Sequence, residues 1–344
     1  MDIKMDRKVK AWVPPEKIWN VWFISIFFIN MALNFGQYMS NSLLSLYAKE
    51  MGAPAEQIGM LMSMFAITAL IFRFVADVIP REQFSSGMGI FACAQVVAQA
   101  VGPTVGVCLK DRFGYTTTYF IFGCIMVCAI LAASTIRLAP TVRMPFSLKL
   151  QNMIAKEAVL PAAVTLLIAL GFTSINAFLL VYAQERGIHG ASLFFTVYAI
   201  TMLFTRPVIG RLTDRYGFVK AGIPSVFATA VSLAMIGFST NLPMLLLAAF
   251  VNAFGYGAVM PALQSLCMRA VSLERRGSAS STNYIGQDLA TLIGSTTAGY
   301  VIAAAGYTPF MWIIMAVPVL LGILVIFLCR KKIYRIENNF KSGR

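Results

Sequence analysis

Long apolar runs alternate with short polar breaks along this chain, and about 20 consecutive apolar residues is the length a helix needs to cross the hydrocarbon core of a bilayer. Ten such runs are legible, at 19–46, 58–74, 86–109, 115–138, 158–182, 191–209, 219–239, 242–262, 279–304 and 307–329. The predicted fold class is therefore an all-α integral membrane protein with about ten transmembrane helices.

Composition agrees with a chain dissolved in lipid: 58% of its 344 residues are hydrophobic and 12% charged, a balance foreign to water-soluble domains. The formal charge of +14 raises the question of a nucleic-acid partner, which the placement of the charges answers. When the spans are threaded from a cytoplasmic N-terminus, all 28 Lys and Arg residues except Lys49, Lys110, Arg112 and Arg186 fall on one side. The positive-inside rule then puts both termini in the cytoplasm of a multi-pass cell-membrane protein and accounts for the charge without nucleic acid. Residues 1–17 are polar and charged, so no cleavable signal peptide is expected.

Residues 139–157, APTVRMPFSLKLQNMIAKE, are basic, carry two prolines and are less apolar than their flanks. They read as a cytoplasmic central loop between an N-terminal bundle of four spans, 1–138, and a C-terminal bundle of six, 158–329, followed by a basic cytoplasmic tail at 330–344. The two parts resemble each other: LLSLYAKEMG at 43–52 matches FLLVYAQERG at 178–187, and AITALIFRF at 66–74 matches AITMLFTRP at 199–207. Duplication of this kind marks transporter folds. The offset between the copies is 135 at Tyr47/Tyr182 and 133 at Arg73/Arg206, but about 192 at Gly114/Gly306. The shortfall lies between Phe74 and Ala76 and has room for two spans, so a 4+6 arrangement is expected where 6+6 would be complete.

Polar residues inside the spans mark the faces that avoid lipid. Asn30, Asn34, Gln37, Asn41 and Ser45 recur at steps of three or four along the first span, which places them on one helix face. The ninth span repeats the pattern with Ser281, Tyr284, Asp288, Thr291 and Ser295. A carboxylate at mid-bilayer carries a penalty of about 2.5 to 3.5 kcal/mol on insertion scales, so its presence implies a polar cavity, a partner or protonation. Asp288 is accordingly the leading candidate for a proton site, with Tyr284, Gln287 and Asn283 as hydrogen-bonding neighbours; substrate contact without protonation and a packing role are the competing readings. Gln95 and Gln99 share a face in the third span, near the position that the repeat assigns opposite Asp288. Asn176 pairs with Asn41 by the 135 offset, and Asn252 and Tyr256 lie four apart in the eighth span; for these, cavity lining and interhelical bonding are equal expectations. The stretch AVGPTVG at 100–106 suits close helix approach and a kink at Pro103.

Enzymatic function is not expected, since the chain shows no paired carboxylates, no nucleophile constellation and no GxxxxGK phosphate loop. The last absence also argues against ATP-driven pumping. The six cysteines have neither paired nor metal-ligand spacing and His189 stands alone in a loop, so neither a metal nor a cofactor is implied.

After the sixth span, GRLTDRYG at 210–217 resembles the Gly-x-x-x-Asp-Arg-x-Gly loop signature of the major facilitator superfamily, and ADVIPRE at 76–82 and AVGPTVG resemble segments of its drug and metabolite exporters. The resemblance implies a two-bundle helical fold, a monomer in the lipid bilayer, and secondary transport of a small molecule by alternating access. Efflux by proton antiport is the form it favours, and a small amphipathic substrate the one expected. It also implies a gating loop built on Gly210, Asp214, Arg215 and Gly217, in contact with the span that opens at Ser85, Ser86 and Gly87. The first-half copy of that loop has no counterpart here, so a truncated, transport-incompetent chain is the alternative reading.

Overall fold

The structure, a computed structural model, describes residues 21–63, 84–134, 154–272 and 275–341, and all regular structure among them is helical. In order these are α1 (Val21–Glu50), α2 (55–63), α3 (Phe84–Ser134), a 3-10 turn (Lys156–Ala158), α4 (Val159–Glu185), α5 (Leu193–Tyr216), α6 (Phe218–Phe238), α7 (Leu242–Phe254), α8 (Tyr256–Arg269), α9 (Arg276–Ala305), α10 (Pro309–Leu328) and α11 (Arg330–Lys341). The point between Phe74 and Ala76, where two spans are expected to be missing, lies outside the described residues, as does the central loop up to residue 153.

Glycine decides where several helices stop. Gly114, at φ 76° and ψ 171°, breaks the long α3 into two arms, at the boundary expected between two spans. Gly306, its mate in the repeat, ends α9 at φ 71° and ψ −176°. Gly52 and Gly187, which stand at the same repeat offset as Tyr47 and Tyr182, both have positive φ, 81° and 66°. These are conformations that a Cβ disfavours, so the repeat in the sequence is a repeat in backbone geometry. The eighth predicted span departs from expectation by dividing at Gly255 into α7 and α8. The physical reason is proximity: a Cβ at Gly255 would fall 2.6 Å from the backbone nitrogen of Thr229 on α6. Asn241 starts α7 by accepting a hydrogen bond from the Met244 amide at 3.0 Å, the N-cap arrangement that satisfies an otherwise orphan donor.

Large apolar side chains cover the outside of the protein. Phe120 is 73% exposed, Phe204 72% and Leu328 69%, a surface that needs lipid against it. Five of the described helical segments, Lys156–Glu185, Leu193–Tyr216, Phe218–Phe238, Leu242–Arg269 and Pro309–Leu328, are long and apolar enough to cross a membrane. The ninth predicted span, now α9, is 30 residues long and is not among them because its polar stripe lowers its apolarity. The four cations stranded on the face opposite the basic one are locally partnered. Lys49 pairs with Glu185, Lys110 lies 2.8 Å from Asp111, and Arg186 and Arg112 sit over the rings of Tyr182 and Phe113.

In the interior, the Tyr182 ring meets Trp312 edge-on at 5.3 Å and its hydroxyl donates to the Gly237 carbonyl at 2.6 Å. Lipid supplies no hydrophobic force between helices, so association rests on close packing at small residues. α9 shows this on two sides. A Cβ at Gly286 would lie 2.7 Å from the Ala162 carbonyl oxygen, and one at Gly299 2.6 Å from that of Ala55, next to α2. Gly102 and Gly106 of α3 press on α1 at Tyr38 and Met39, so AVGPTVG serves close packing here. Replacing Gly299 by Ala is expected to force α9 and α2 apart and to destabilise the protein by about 1–3 kcal/mol. The check is a lower apparent melting temperature in detergent, set beside Gly123→Ala, where nothing lies within 4 Å of the added methyl.

Candidate functional site

The parts flanking the central loop are joined by two hydroxyl clasps. On one side Ser63 of α2 donates to the Leu292 carbonyl at 2.9 Å and shares a hydrogen bond with Thr296 at 2.6 Å. On the other, Thr196 of α5 donates to the Ala100 carbonyl at 2.7 Å and shares one with Thr104 at 3.2 Å. Ser63 and Thr196 stand at the same repeat offset as Arg73 and Arg206, while Thr104 and Thr296, like Ala100 and Leu292, stand at that of Gly114 and Gly306. The two clasps are therefore one contact made twice. Both lie toward the face that carries the Lys49–Glu185 pair, and Lys49 also sits 4.9 Å over the Tyr307 ring.

Asp288 is near the middle of α9 and only 8% exposed. By helical periodicity it lies in line with Leu292, Ser295 and Gly299, which follow it at four, seven and eleven residues. One face, with Asn283, Gly286 and Gly294, meets α4, and the other, with Thr296 and Gly299, meets α2. Tyr284, one turn below, accepts a hydrogen bond from Gln264 of α8 at 3.1 Å, and the Gln287 carbonyl accepts one from Thr291. Asn283 turns toward its own bundle, where Thr165 donates to it at 2.7 Å.

On α1, Asn34, Gln37 and Asn41 are half-buried and Ser45 is buried, while Met39 and Leu43 of the same helix meet Gly106. The polar stripe and the packing face of α1 are thus distinct. Asn176 is half-buried on α4. Asn252 is fully buried and donates to Ser232 at 3.1 Å, a bond between α7 and α6. Tyr256 stacks flat on Phe172, with centroids 3.8 Å apart and planes 7° apart, and Tyr198 lies 5.5 Å from the same Phe172 ring. The side chains of Asn30, Gln95, Ser85 and Ser86, and the surroundings of Gly87, lie outside the described residues.

The signature segment differs from a loop. Residues 210–216 continue α5, and only Gly217, at φ 85°, turns the chain into α6. Gly210 is helical, with open space where a Cβ would stand. Asp214 pairs with the guanidinium of Arg269 at the end of α8, at 2.7 Å. Arg215 leans on the Tyr216 ring. Nearby, Glu157 of the 3-10 turn, ahead of the apolar run of α4, is bonded by Arg275 at 2.8 Å. A hydrogen bond from its own backbone, reinforced by Arg275, holds that carboxyl below its ordinary value. A carboxylate held low contributes stability that is present above its unfolded pKa, about 4.3, and lost as pH falls through the lower folded value; this link is intact at neutral pH.

Two features escaped the sequence. Arg206, counted there with the basic face, is half-buried inside α5 and reaches the Gly257 carbonyl at 3.5 Å. The clasp hydroxyls carry no signal in apolarity; the repeat offsets alone single them out.

A helical protein of the membrane, with two related parts joined by symmetric contacts and a buried carboxylate on a helix at that contact, has the architecture of a transporter, not of an enzyme. The family model for the Major Facilitator Superfamily matches residues 161–342, just over half of the chain, and the chain belongs to that superfamily of membrane transporters. It is 23% identical over 247 residues to the multi-drug resistance efflux pump PmrA homolog of Lactococcus lactis subsp. lactis, covering 66% of this chain and 60% of the relative. It is 24% identical to the multidrug resistance protein MdtG of Salmonella arizonae, covering 68% of this chain and 61% of the relative. The chain thus spans about three fifths of the length of these curated relatives. Among solved structures, a POT family transporter in complex with a thioalcohol-conjugated peptide superposes with a TM-score of 0.69 at 12% identity, covering 90% of this chain and 96% of that one. The nucleoside transporter NupG does so with a TM-score of 0.53 at 13% identity, covering 89% and 90%. At such identities the likeness concerns the fold.

The clasps predict a specific cross-linking pattern. In a background with the native cysteines replaced, Ser63→Cys with Thr296→Cys, and Thr104→Cys with Thr196→Cys, are expected to form disulfides under mild oxidation, because hydroxyls at 2.6 and 3.2 Å place sulfurs within bridging reach. The measurement is a gel shift after cleavage in the central loop; Ser63→Cys with Thr196→Cys is the pair expected to stay unlinked.

Proposed function

We propose that this protein is a secondary active transporter that exports a small amphipathic molecule by alternating access, coupled to proton antiport through Asp288. The observation that carries the reading is the pair of symmetry-related hydroxyl clasps. Parts that touch through the same small contact twice are suited to rocking about the site between them. In this reading the described state is closed at the clasp face, and both termini and the Asp214–Arg269 pair lie on the cytoplasmic side. Residues 1–138 form a shortened four-span bundle and residues 158–329 a six-span bundle, and the protein works as a monomer.

Asp288 is assigned the proton because it is a buried carboxylate at mid-helix, beside neutral groups able to hydrogen-bond either of its protonation states. Asn34, Gln37, Asn41 and Asn176 contribute the polar lining, with Gln95 joining from α3. Tyr256 and Phe172 offer a flat aromatic wall to an amphipathic substrate. Export, as opposed to import, rests on the likeness to the multidrug proteins. The three-fifths coverage of those relatives favours a second reading, in which the chain inserts and packs but does not transport.

The deciding experiment is proton-driven transport of a panel of amphipathic dyes in proteoliposomes by this chain, by Asp288→Asn, and by a version with a two-span segment restored after Phe74. The proposal expects dye transport by this chain and a loss of at least tenfold in the variant, with dye-coupled proton movement abolished. Transport by the restored version alone establishes the second reading.

A further inference from the structure

We propose that α11 is a docking surface for anionic phospholipid headgroups, and that its buried Glu337 transmits that binding to the turn after the signature segment. The proposal rests on the membrane placement of the chain but on neither direction nor coupling of transport.

Helix α11 starts at Arg330, with Cys329 alone separating it from the end of the apolar α10 at Leu328, so its first turn stands at the level where acyl chains give way to headgroups. Its two sides are chemically opposed. Ile333 is buried, and Tyr334 and Ile336 pack against the protein core. Arg330, Lys331, Lys332 and Arg335 are exposed; no ion pair among the described residues holds them, and Arg330 lies 4.6 Å over the Phe327 ring. The apolar stripe of this amphipathic helix is therefore spent on the protein. What faces outward is a cluster of cations, continued by exposed Arg211, Arg215 and Lys220 on α5 and α6. Cation clusters immediately beside a transmembrane helix attract anionic lipid.

The buried side reaches the gate. Glu337 is only 6% exposed, unusual for a carboxylate on a short basic helix. It accepts a hydrogen bond from the Phe218 amide at 2.7 Å, which caps the first turn of α6, where the helix dipole favours negative charge. Its other oxygen lies 3.0 Å from where a Cβ on Gly217 would stand, so the left-handed turn that ends the signature segment is shaped to admit it. Lipid that holds the cationic side of α11 at the headgroups would keep Glu337 seated and the Gly217 turn ordered, so lipid charge would set how readily α5 and α6 move.

The test is hydrogen exchange of the intact protein in nanodiscs of phosphatidylcholine alone or of phosphatidylcholine mixed with phosphatidylglycerol. Amides 218–221 and 333–337 are expected to exchange at least tenfold more slowly with the anionic lipid. Lys331→Gln with Lys332→Gln should remove most of that difference, since each surface cation lost weakens headgroup binding roughly fivefold. Glu337→Gln should keep the lipid effect at 333–337 and lose it at 218–221. If that variant fails to fold, the lysine pair, on exposed positions, carries the test alone. Equal exchange in the two lipids overturns the proposal. So does protection by inorganic phosphate in phosphatidylcholine nanodiscs equal to that by phosphatidylglycerol, which would mark the surface as a site for free anions.

Discussion

Close approach of helix backbones is the constraint on which the rest of this structure depends. α9 stands within contact of α4 on one side, where Gly286 meets the Ala162 carbonyl and Gly294 meets Thr173, and of α2 on the other, where Gly299 meets Ala55. With no solvent to drive helices together, a polar helix of this length stays in place through such contacts and through hydrogen bonds between hydroxyls and carbonyls. The wedge position also creates the site. Asp288 lies in line with Ser295 and Gly299 on the side of α9 that meets α2, nearer the start of the helix than those contacts, and Tyr284 lies one turn before it. Asp288 is buried there and Tyr284 half-buried.

The strength of the clasps suits a contact that breaks in the proposed alternating-access cycle. Interhelical hydrogen bonds in a membrane contribute on average about 0.6 kcal/mol each, so four of them hold one state without trapping it. The bonds within the six-span part serve a different end. Asn252 to Ser232 and Thr165 to Asn283 are buried inside one bundle and would keep that bundle rigid during the proposed cycle. The same residue types thus join helices within one part or across the two parts, and only the second kind would act as a gate in the proposed cycle.

Much of this was legible in the sequence. Apolar runs gave the helices because bilayer thickness sets a length, and the repeat marked Gly114/Gly306 and Gly52/Gly187 as equivalent points, which share left-handed turns because glycine leaves few other reasons for its placement. The break at Gly255 was hidden, since α7 and α8 form one apolar run and the cause lies in Thr229, on a different helix. Asn252 read equally well as cavity or glue, because spacing along a helix gives a face but not the neighbour it meets. Arg206 was placed on the basic face by counting charges; it is half-buried inside α5 and reaches the Gly257 carbonyl, which Pro261, four residues on and without an N–H, leaves free, a pairing between helices that no local pattern encodes. Glu337 looked like one acid in a basic tail, and its role depends on the fold bringing α11 under the Gly217 turn.

The clasps also bear on the proposed loss of two spans. Ser63 precedes the point between Phe74 and Ala76, and Thr104 follows it, yet each meets its partner in the second part with the geometry of its symmetry mate. The contact at the clasp face therefore needs nothing from the missing segment. On the basic face the second part has its Asp214–Arg269 pair and the Glu337 cap, while the first-half copy of the signature falls within the shortfall. A 4+6 chain would then close symmetrically at one face and asymmetrically at the other. The energetic balance between its two closed states would be set on the basic face, where only one of two latches exists, so closure at the clasp face is the state such a chain should favour.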